Sequence, residues 1–262
     1  MKVLERNVTY GPFLERLQSA PARVLLLDYD GTLAPFVVDR TLAWPYPEVP
    51  PLIGQIMSQG TRVVLISGRP VRELLLLMRI SPQPEIWGSH GLERLRSDGH
   101  YEVSSVPAHQ DYLLAATSLL SDAGLEAQTE VKPGGVAVHW RGLDPVKAEK
   151  LAREVPRLWK PLLDRAPVRL LEFDGGLELR VAGPGKGDAV RVILNEAGPG
   201  AAVAYLGDDQ TDEDAFRALK GKGLTILVRN QSRPTGADVW LQPPHELLHF
   251  LQEWLRASGG EP

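Results

Sequence analysis

The chain has 262 residues, 43% hydrophobic and 24% charged, enough for one large domain or two modest ones with a substantial core. A net charge of −4, with Lys and Arg scattered among acids, excludes the basic face a nucleic-acid binder needs. The absence of cysteine excludes disulfides, thiol catalysis and thiolate metal sites. Residues 1–10 hold no apolar stretch of signal-peptide length, and the most apolar run, Leu74 to Met78, is too short to span a bilayer. The expectation is a soluble, cytoplasmic protein with neither a nucleic-acid nor a membrane partner.

Residues 11–20 read as a helix and 23–28 as the first strand, whose apolar run Val24-Leu25-Leu26-Leu27 leads into Asp28-Tyr29-Asp30-Gly31-Thr32-Leu33. Strand alternation puts positions 28 and 30 on one side, and Gly31 lets the chain turn sharply beyond them. Two crowded carboxylates repel each other; a bound cation relieves that repulsion. A Pro-rich loop at 43–51 precedes a helix ending at Gly60. The strand 62–66 ends in Ser67-Gly68-Arg69-Pro70 and is followed by a helix over 71–79. A short strand at 85–87 runs into Gly88-Ser89-His90-Gly91, then a hairpin-like stretch reaches Val106. Uniformly apolar strands alternating with helices predict a parallel sheet covered on both faces.

The middle of the chain has a different rhythm. A helix over 108–123 precedes strands 126–132 and 135–141, joined at Pro133-Gly134-Gly135. A helical region at 144–160, interrupted by Pro156, precedes strands 167–173 and 176–181, joined at Asp174-Gly175-Gly176. Helix–hairpin–helix–hairpin is an α+β unit, read as a cap of residues 108–182 inserted in an α/β core of 1–107 and 183–262. The crossings near 107 and 183 are the natural hinges. The α/β pattern resumes with Lys186-Gly187 opening a helix to 197, the strand 202–206, the cluster Gly207-Asp208-Asp209-Gln210-Thr211-Asp212 and the strand 224–228.

This second cluster repeats the design of the first, a strand ending on carboxylates, and hard oxygen ligands from two strand ends suit Mg²⁺. Asp28 is the candidate nucleophile toward phosphorus and Asp30 the candidate acid/base. Ser67 and Gly68 offer a hydroxyl and a free N–H to phosphate oxygens, or simply an N-cap; an N-cap turn is also an anion site. Arg69 either adds charge there or covers the surface. Lys186 is either a surface lysine or the charge that neutralises Asp28 and a transferring phosphoryl group. Asp208 is the candidate direct metal ligand, with Asp209 and Asp212 as outer or water-mediated partners. For Glu213 and Asp214 the preferred reading is a charge at a helix N-terminus.

The ordered motifs Asp28-Tyr29-Asp30-Gly31-Thr32, Ser67, Lys186 and Asp208-Asp209 resemble those of the haloacid dehalogenase superfamily of phosphotransferases. The resemblance implies a Rossmann-like parallel-sheet core, a type-two cap between the second and third motifs, and the backbone carbonyl of Asp30 as a further metal ligand. Gly207-Asp208-Asp209-Gln210-Thr211-Asp212-Glu213-Asp214-Ala215-Phe216, Ile66-Ser67-Gly68-Arg69 and Gly88-Ser89-His90-Gly91 narrow it: the chain is similar to trehalose-6-phosphate phosphatases. In the cap, Glu130-Val131-Lys132, His139-Trp140-Arg141 and Glu178 match that family, in which Glu130, Lys132, Arg141 and Glu178 would contact the disaccharide or its phosphate. His139 reads equally as a packed strand residue. Val181-Ala182 and the turn Asp174-Gly175-Gly176, which carries no basic residue, depart from the family pattern.

What the resemblance implies is Mg²⁺-dependent hydrolysis of trehalose 6-phosphate through an aspartyl-phosphate, with a trehalose-phosphate synthase as a partner to consider. A phosphatase acting on glucosylglycerol phosphate or sucrose 6-phosphate, a non-catalytic sugar-phosphate sensor and a phosphomutase are the alternatives.

Overall fold

The computed structural model describes residues 2–3, 10–104, 110–164, 167–173 and 175–261. They form two compact units, Met1–Val103 with Pro184–Pro262, and Ser104–Gly183. The expected hinge near 107, the end of the hairpin-like stretch at Val106 and Asp174 of the expected turn lie outside the described residues.

The first pass through the larger unit comprises β1 (Lys2–Val3), α1 (Tyr10–Ser19), β2 (Arg23–Leu27), α2 (Val49–Ser58), β3 (Arg62–Ile66), α3 (Val71–Met78), β4 (Glu85–Gly88), β5 (Glu93–Leu95) and β6 (Tyr101–Val103). The smaller unit follows with α4 (Gln110–Asp122), β7 (Thr129–Lys132), β8 (Gly135–His139), α5 (Pro145–Leu163), β9 (Val168–Phe173) and β10 (Gly176–Val181). The chain then completes the larger unit with α6 (Lys186–Ala197), β11 (Ala202–Gly207), α7 (Glu213–Leu219), β12 (Leu224–Val228), β13 (Val239–Leu241) and α8 (His245–Ala257). No helix among the described residues is long and apolar enough to cross a membrane.

The larger unit is a nine-stranded sheet of order β1-β13-β12-β11-β2-β3-β4-β5-β6. It is parallel from β13 through β4 and antiparallel only where β1, β5 and β6 join. Alternate strand residues feed two cores. Leu25, Leu27, Val63, Leu65, Leu206 and Ile226 pack with α1, α2, α3 and α8 on one face; Val24, Leu26, Val64, Ile66 and Tyr205 pack with α6 and α7 on the other. Burial on both sides is why these strands read as unbroken apolar runs. Each buried Leu or Val contributes about 1.5–3 kcal/mol, so truncation in β2 would be felt directly at Asp28, its next residue.

Helix α8 goes beyond the elements expected from the sequence, although Leu247, Phe250, Leu251, Trp254 and Leu255 are buried at helical spacing. So do β1 and β13, two and three residues long, too short to carry a period.

The smaller unit is an antiparallel sheet of order β7-β8-β10-β9 with α4 and α5 on one face. Two expectations are corrected here. The helix expected to break at Pro156 runs unbroken from Pro145 to Leu163 through Pro156 and Pro161. The hydrogen bond lost at an interior proline costs about 3 kcal/mol, but Leu151, Val155 and Trp159 bury one face of α5, and Trp159 Nε1 donates to the Ala116 carbonyl at 3.2 Å. The strand expected from 126 starts at Thr129, because residues Glu126–Gln128 form a 3-10 turn after α4.

Candidate active site

The sheet changes winding direction at β2: the chain steps outward to β3 on one side and later returns to β11 on the other. Connections leave such a pair of strand ends in opposite directions, and the crevice between them receives ligands. Asp28 is the first residue beyond β2, and its N–H donates to the Leu206 carbonyl at 2.9 Å, fixing it beside the end of β11. The chain then turns, the Tyr29 carbonyl accepting from the N–H groups of Thr32, Leu33 and Ala34. Gly31 has φ +77, and a Cβ there would lie 2.3 Å from Asp208 Oδ2. Only glycine satisfies both the backbone and the space.

Lys186, the first residue of α6, is buried with its ammonium between two carboxylates, 2.7 Å from Asp28 Oδ1 and 2.7 Å from Asp212 Oδ1. Asp212 is held on every side: Tyr205 donates its hydroxyl at 2.6 Å, and the N–H groups of Asp208 and Asp209 donate at 3.0 and 2.9 Å. Asp208 differs. Its Oδ2 is buried without a hydrogen-bond partner among the described residues, its nearest cation being the half-exposed Arg229 guanidinium at 3.8 Å.

Burial pushes the pKa of Asp28 up, Lys186 pulls it down and Asp212 and Asp30 push it up again; the net direction is up. Asp208 is raised well above the ordinary carboxylate range, by burial first and then by the charges of Asp28, Asp212 and Asp209. Burial opposes the charge of Lys186, but Asp212 and Asp28 outweigh it and hold the ammonium protonated.

Asp28, Asp208 and Asp212 offer oxygens within 4.8 Å of one another. Three carboxylates facing one buried ammonium leave an excess of two negative charges when ionised. An all-oxygen donor set with that deficit and one orphaned buried oxygen fits a hard divalent cation. Asp30 and Asp209, also expected near the metal, turn their carboxylates elsewhere: Asp209 Oδ1 accepts from the Gln210 N–H at 2.7 Å, and Asp30 pairs with Arg69.

Ser67 and Gly68 follow β3, the strand next to β2, and Ser67 is buried, its Oγ accepting from the Arg69 N–H at 3.2 Å. Arg69 does not lie on the surface. Its guanidinium grips Asp30 in a two-pronged pair, both contacts 2.7 Å, with Glu73 at 3.3 Å and the Tyr29 ring 5.6 Å away. The alternation expected to carry 28 and 30 to one side stops where β2 ends at Leu27, so the two aspartates take different partners, Lys186 and Arg69.

In the smaller unit, strand register lines up Glu130, Ala137 and Glu178 across β7, β8 and β10, with Lys132 opposite Gly135 in the next row on the same face. Lys132 Nζ lies 2.8 Å from Glu178 Oε2 and 3.8 Å from Glu130 Oε2. Glycine at 135 makes room for this, since a Cβ there would come within 2.7 Å of Glu178 Oε1. His139 Nε2 lies 2.8 Å from Glu130 Oε2, and its ring is 5.2 Å from that of Phe173, so it belongs to this polar group as well as packing there. Arg141 lies against the β9–β10 turn at Gly175.

Sequence reasoning missed Tyr205, Arg229 and Arg233. Arg233 clasps the acidic turn, donating to the carbonyls of Asp208 at 3.3 Å and Asp209 at 2.8 Å and pairing with Glu213 at 2.5 Å. Glu213 is therefore a tether for that turn. The signal for both arginines was position: they follow the carboxyl end of β12, a parallel strand beside β11.

A family model described as trehalose-phosphatase matches residues 26–243. Trehalose-phosphate phosphatase B of Arabidopsis thaliana is 29% identical over 265 residues, covering 91% of this chain and 68% of that protein. Among solved structures, the C-terminal domain of the C. albicans trehalose-6-phosphate phosphatase superposes with a TM-score of 0.83 at 20% identity, covering 99% of this chain and 100% of that one. The Aspergillus fumigatus trehalose-6-phosphate phosphatase gives a TM-score of 0.67 at 25% identity, covering 95% of this chain and 98% of that one.

Proposed function

This chain belongs to the trehalose-phosphatase family, and from that membership we propose that it is a Mg²⁺-dependent phosphatase converting trehalose 6-phosphate to trehalose and inorganic phosphate. The observation that carries the chemistry is the buried group of Asp28, Asp208 and Asp212 around a single ammonium at the ends of β2 and β11.

Asp28 attacks phosphorus, forming an aspartyl-phosphate as the bond to the sugar oxygen breaks, and Asp30 gives that oxygen its proton. Asp30 then takes a proton from the water that cleaves the acyl phosphate, regenerating Asp28 and releasing phosphate. The two-pronged Arg69 pair occupies one lone pair on each Asp30 oxygen and fixes the carboxyl plane, leaving a second lone pair on each for the proton. Lys186 holds the attacking oxygen of Asp28 in place and offsets phosphoryl charge, while Asp212 orients Lys186. Ser67 and Gly68 receive phosphate oxygens. Asp28, Asp208 and the Asp30 carbonyl would hold Mg²⁺, which supplies charge neutralisation between the carboxylates and the incoming phosphate dianion.

For the sugar, the support is the row of Glu130, Lys132 and Glu178, which presents paired acceptors and a donor suited to the hydroxyls of an uncharged disaccharide. Phosphate release from purified protein with trehalose 6-phosphate, sucrose 6-phosphate, glucosylglycerol phosphate and glucose 6-phosphate tests the assignment. The expected result is a strong preference for trehalose 6-phosphate that chelator abolishes and added Mg²⁺ restores. A preference for another sugar phosphate would replace the substrate; full activity in excess chelator would remove the metal.

A further inference from the structure

We infer that His90 is a positioning residue for the phosphoryl seat: the turn Ser89-His90-Gly91 grips the Ser67-Gly68-Arg69 segment and fixes the direction of the Gly68 N–H. The inference rests on the proposed reading that Ser67 and Gly68 receive phosphate oxygens.

Three successive residues of this turn lie in the left-handed region, Ser89 at φ 49, His90 at φ 59 and Gly91 at φ 103. Two adjacent non-glycine residues in that conformation persist only where their surroundings over-determine them, and such strain collects at functional sites. The Ser89 N–H donates to the Arg69 carbonyl at 2.8 Å, and the His90 N–H donates to the Ser67 carbonyl at 2.8 Å. Gly68 is thus bracketed by bonds to both of its neighbours. The edge of the His90 ring closes the third side, since a Cβ on Gly68 would sit 2.7 Å from both Cε1 and Nε2.

The grip is anchored from behind. Glu93 is buried and accepts from the Ser89 hydroxyl at 2.5 Å, the Tyr101 hydroxyl at 2.7 Å and the Val71 N–H at 3.4 Å. On its other flank, a Cβ on Gly91 would meet the Gly185 carbonyl at 3.1 Å, one residue before Lys186. One strained turn therefore touches both segments that meet the phosphoryl group: the His90 N–H holds the Ser67–Gly68 peptide by its carbonyl, and the imidazole packs against Gly68.

The test is His90→Asn, because asparagine tolerates the left-handed backbone while removing the ring from Gly68. Binding of inorganic phosphate in the presence of Mg²⁺ is measured by calorimetry, alongside steady-state kinetics with trehalose 6-phosphate and a small aryl phosphate. The expected result is phosphate affinity weakened about tenfold, with KM raised by the same factor for both substrates and kcat changed less. The cost of Gly68→Ala should also be smaller in the His90→Asn background than in the wild type, the signature of direct coupling. If His90→Asn does not fold, His90→Gly, which carries no backbone strain there, is measured in the same way. Wild-type phosphate binding in the variant, or a lower melting temperature with phosphate affinity unchanged, would overturn the inference alone. Absence of phosphate binding in the wild type would instead remove the seat itself, and the inference with it.

Discussion

Replacing Lys186 with methionine keeps most of the side-chain volume and deletes one charge. In the structure that ammonium is buried and 2.7 Å from both Asp28 and Asp212. Breaking a buried pair by removing one partner costs about 3–5 kcal/mol, because the surviving charge is left uncompensated. The loss should depend on pH in a defined sense. Burial already raises the Asp28 pKa above its unfolded value, with Lys186 opposing that rise. Ionising Asp28 is thus a cost that appears as pH climbs out of the ordinary carboxylate range and is complete above the folded pKa. Removing Lys186 raises that pKa further, so the gap between variant and wild type should be largest near pH 8 and should shrink toward pH 5 as Asp28 takes up a proton. Millimolar Mg²⁺ should also narrow it, because the folded variant, with one positive charge fewer among its carboxylates, binds the cation more tightly. Urea unfolding of both proteins at pH 5 and pH 8, with and without Mg²⁺, reads all of this. Equal stability at pH 8 without metal, or a gap that widens in acid, would refute the reasoning.

Gly31→Ala should fold less stably and bind Mg²⁺ at least tenfold more weakly, because its methyl would lie 2.3 Å from Asp208 Oδ2 at a φ of +77; unchanged metal affinity by calorimetry would show that Asp208 is not a ligand. Arg69→Lys replaces a two-pronged grip on Asp30 by a single contact, and kcat should fall about tenfold or more with KM little changed; a KM effect alone would make Arg69 a substrate contact. Glu130→Ala and Glu178→Ala each remove a charged hydrogen-bond partner worth about 1–3 kcal/mol, so kcat/KM for trehalose 6-phosphate should drop about tenfold to a hundredfold. A small aryl phosphate should be hydrolysed at the wild-type rate by both variants, and parallel losses on the two substrates would assign these glutamates to folding.

The parallel core was legible because strands buried on both faces must be apolar along their whole length, as Val24–Leu27 and Val63–Ile66 are, and because each ended on glycine and polar residues at the same edge. Lys186 was legible only through its order in the chain; nothing in a lone lysine after Gly185 announces an ammonium shared by two buried carboxylates. Arg69 was undecidable in sequence, since its partner Asp30 lies 39 residues away and only the β2–β3 pairing brings them together. The unbroken α5 escaped because local propensity condemns Pro156 while the burial of Val155 and Trp159, a tertiary effect, sustains the helix. The Ser89-His90-Gly91 turn was visible as a motif, but its two backbone bonds to Arg69 and Ser67 exist only once β3 and β4 pair.

The central claim is that phosphorus passes through the carboxylate of Asp28. Acid-quenched enzyme taken during steady-state turnover of trehalose 6-phosphate can be reduced with borohydride, which converts an aspartyl-phosphate to homoserine, and then mapped by peptide mass spectrometry. The account predicts homoserine at position 28 alone, present only when substrate and Mg²⁺ are both supplied and missing in Asp28→Asn. Turnover with aspartate intact at position 28, or modification at another residue, would contradict it.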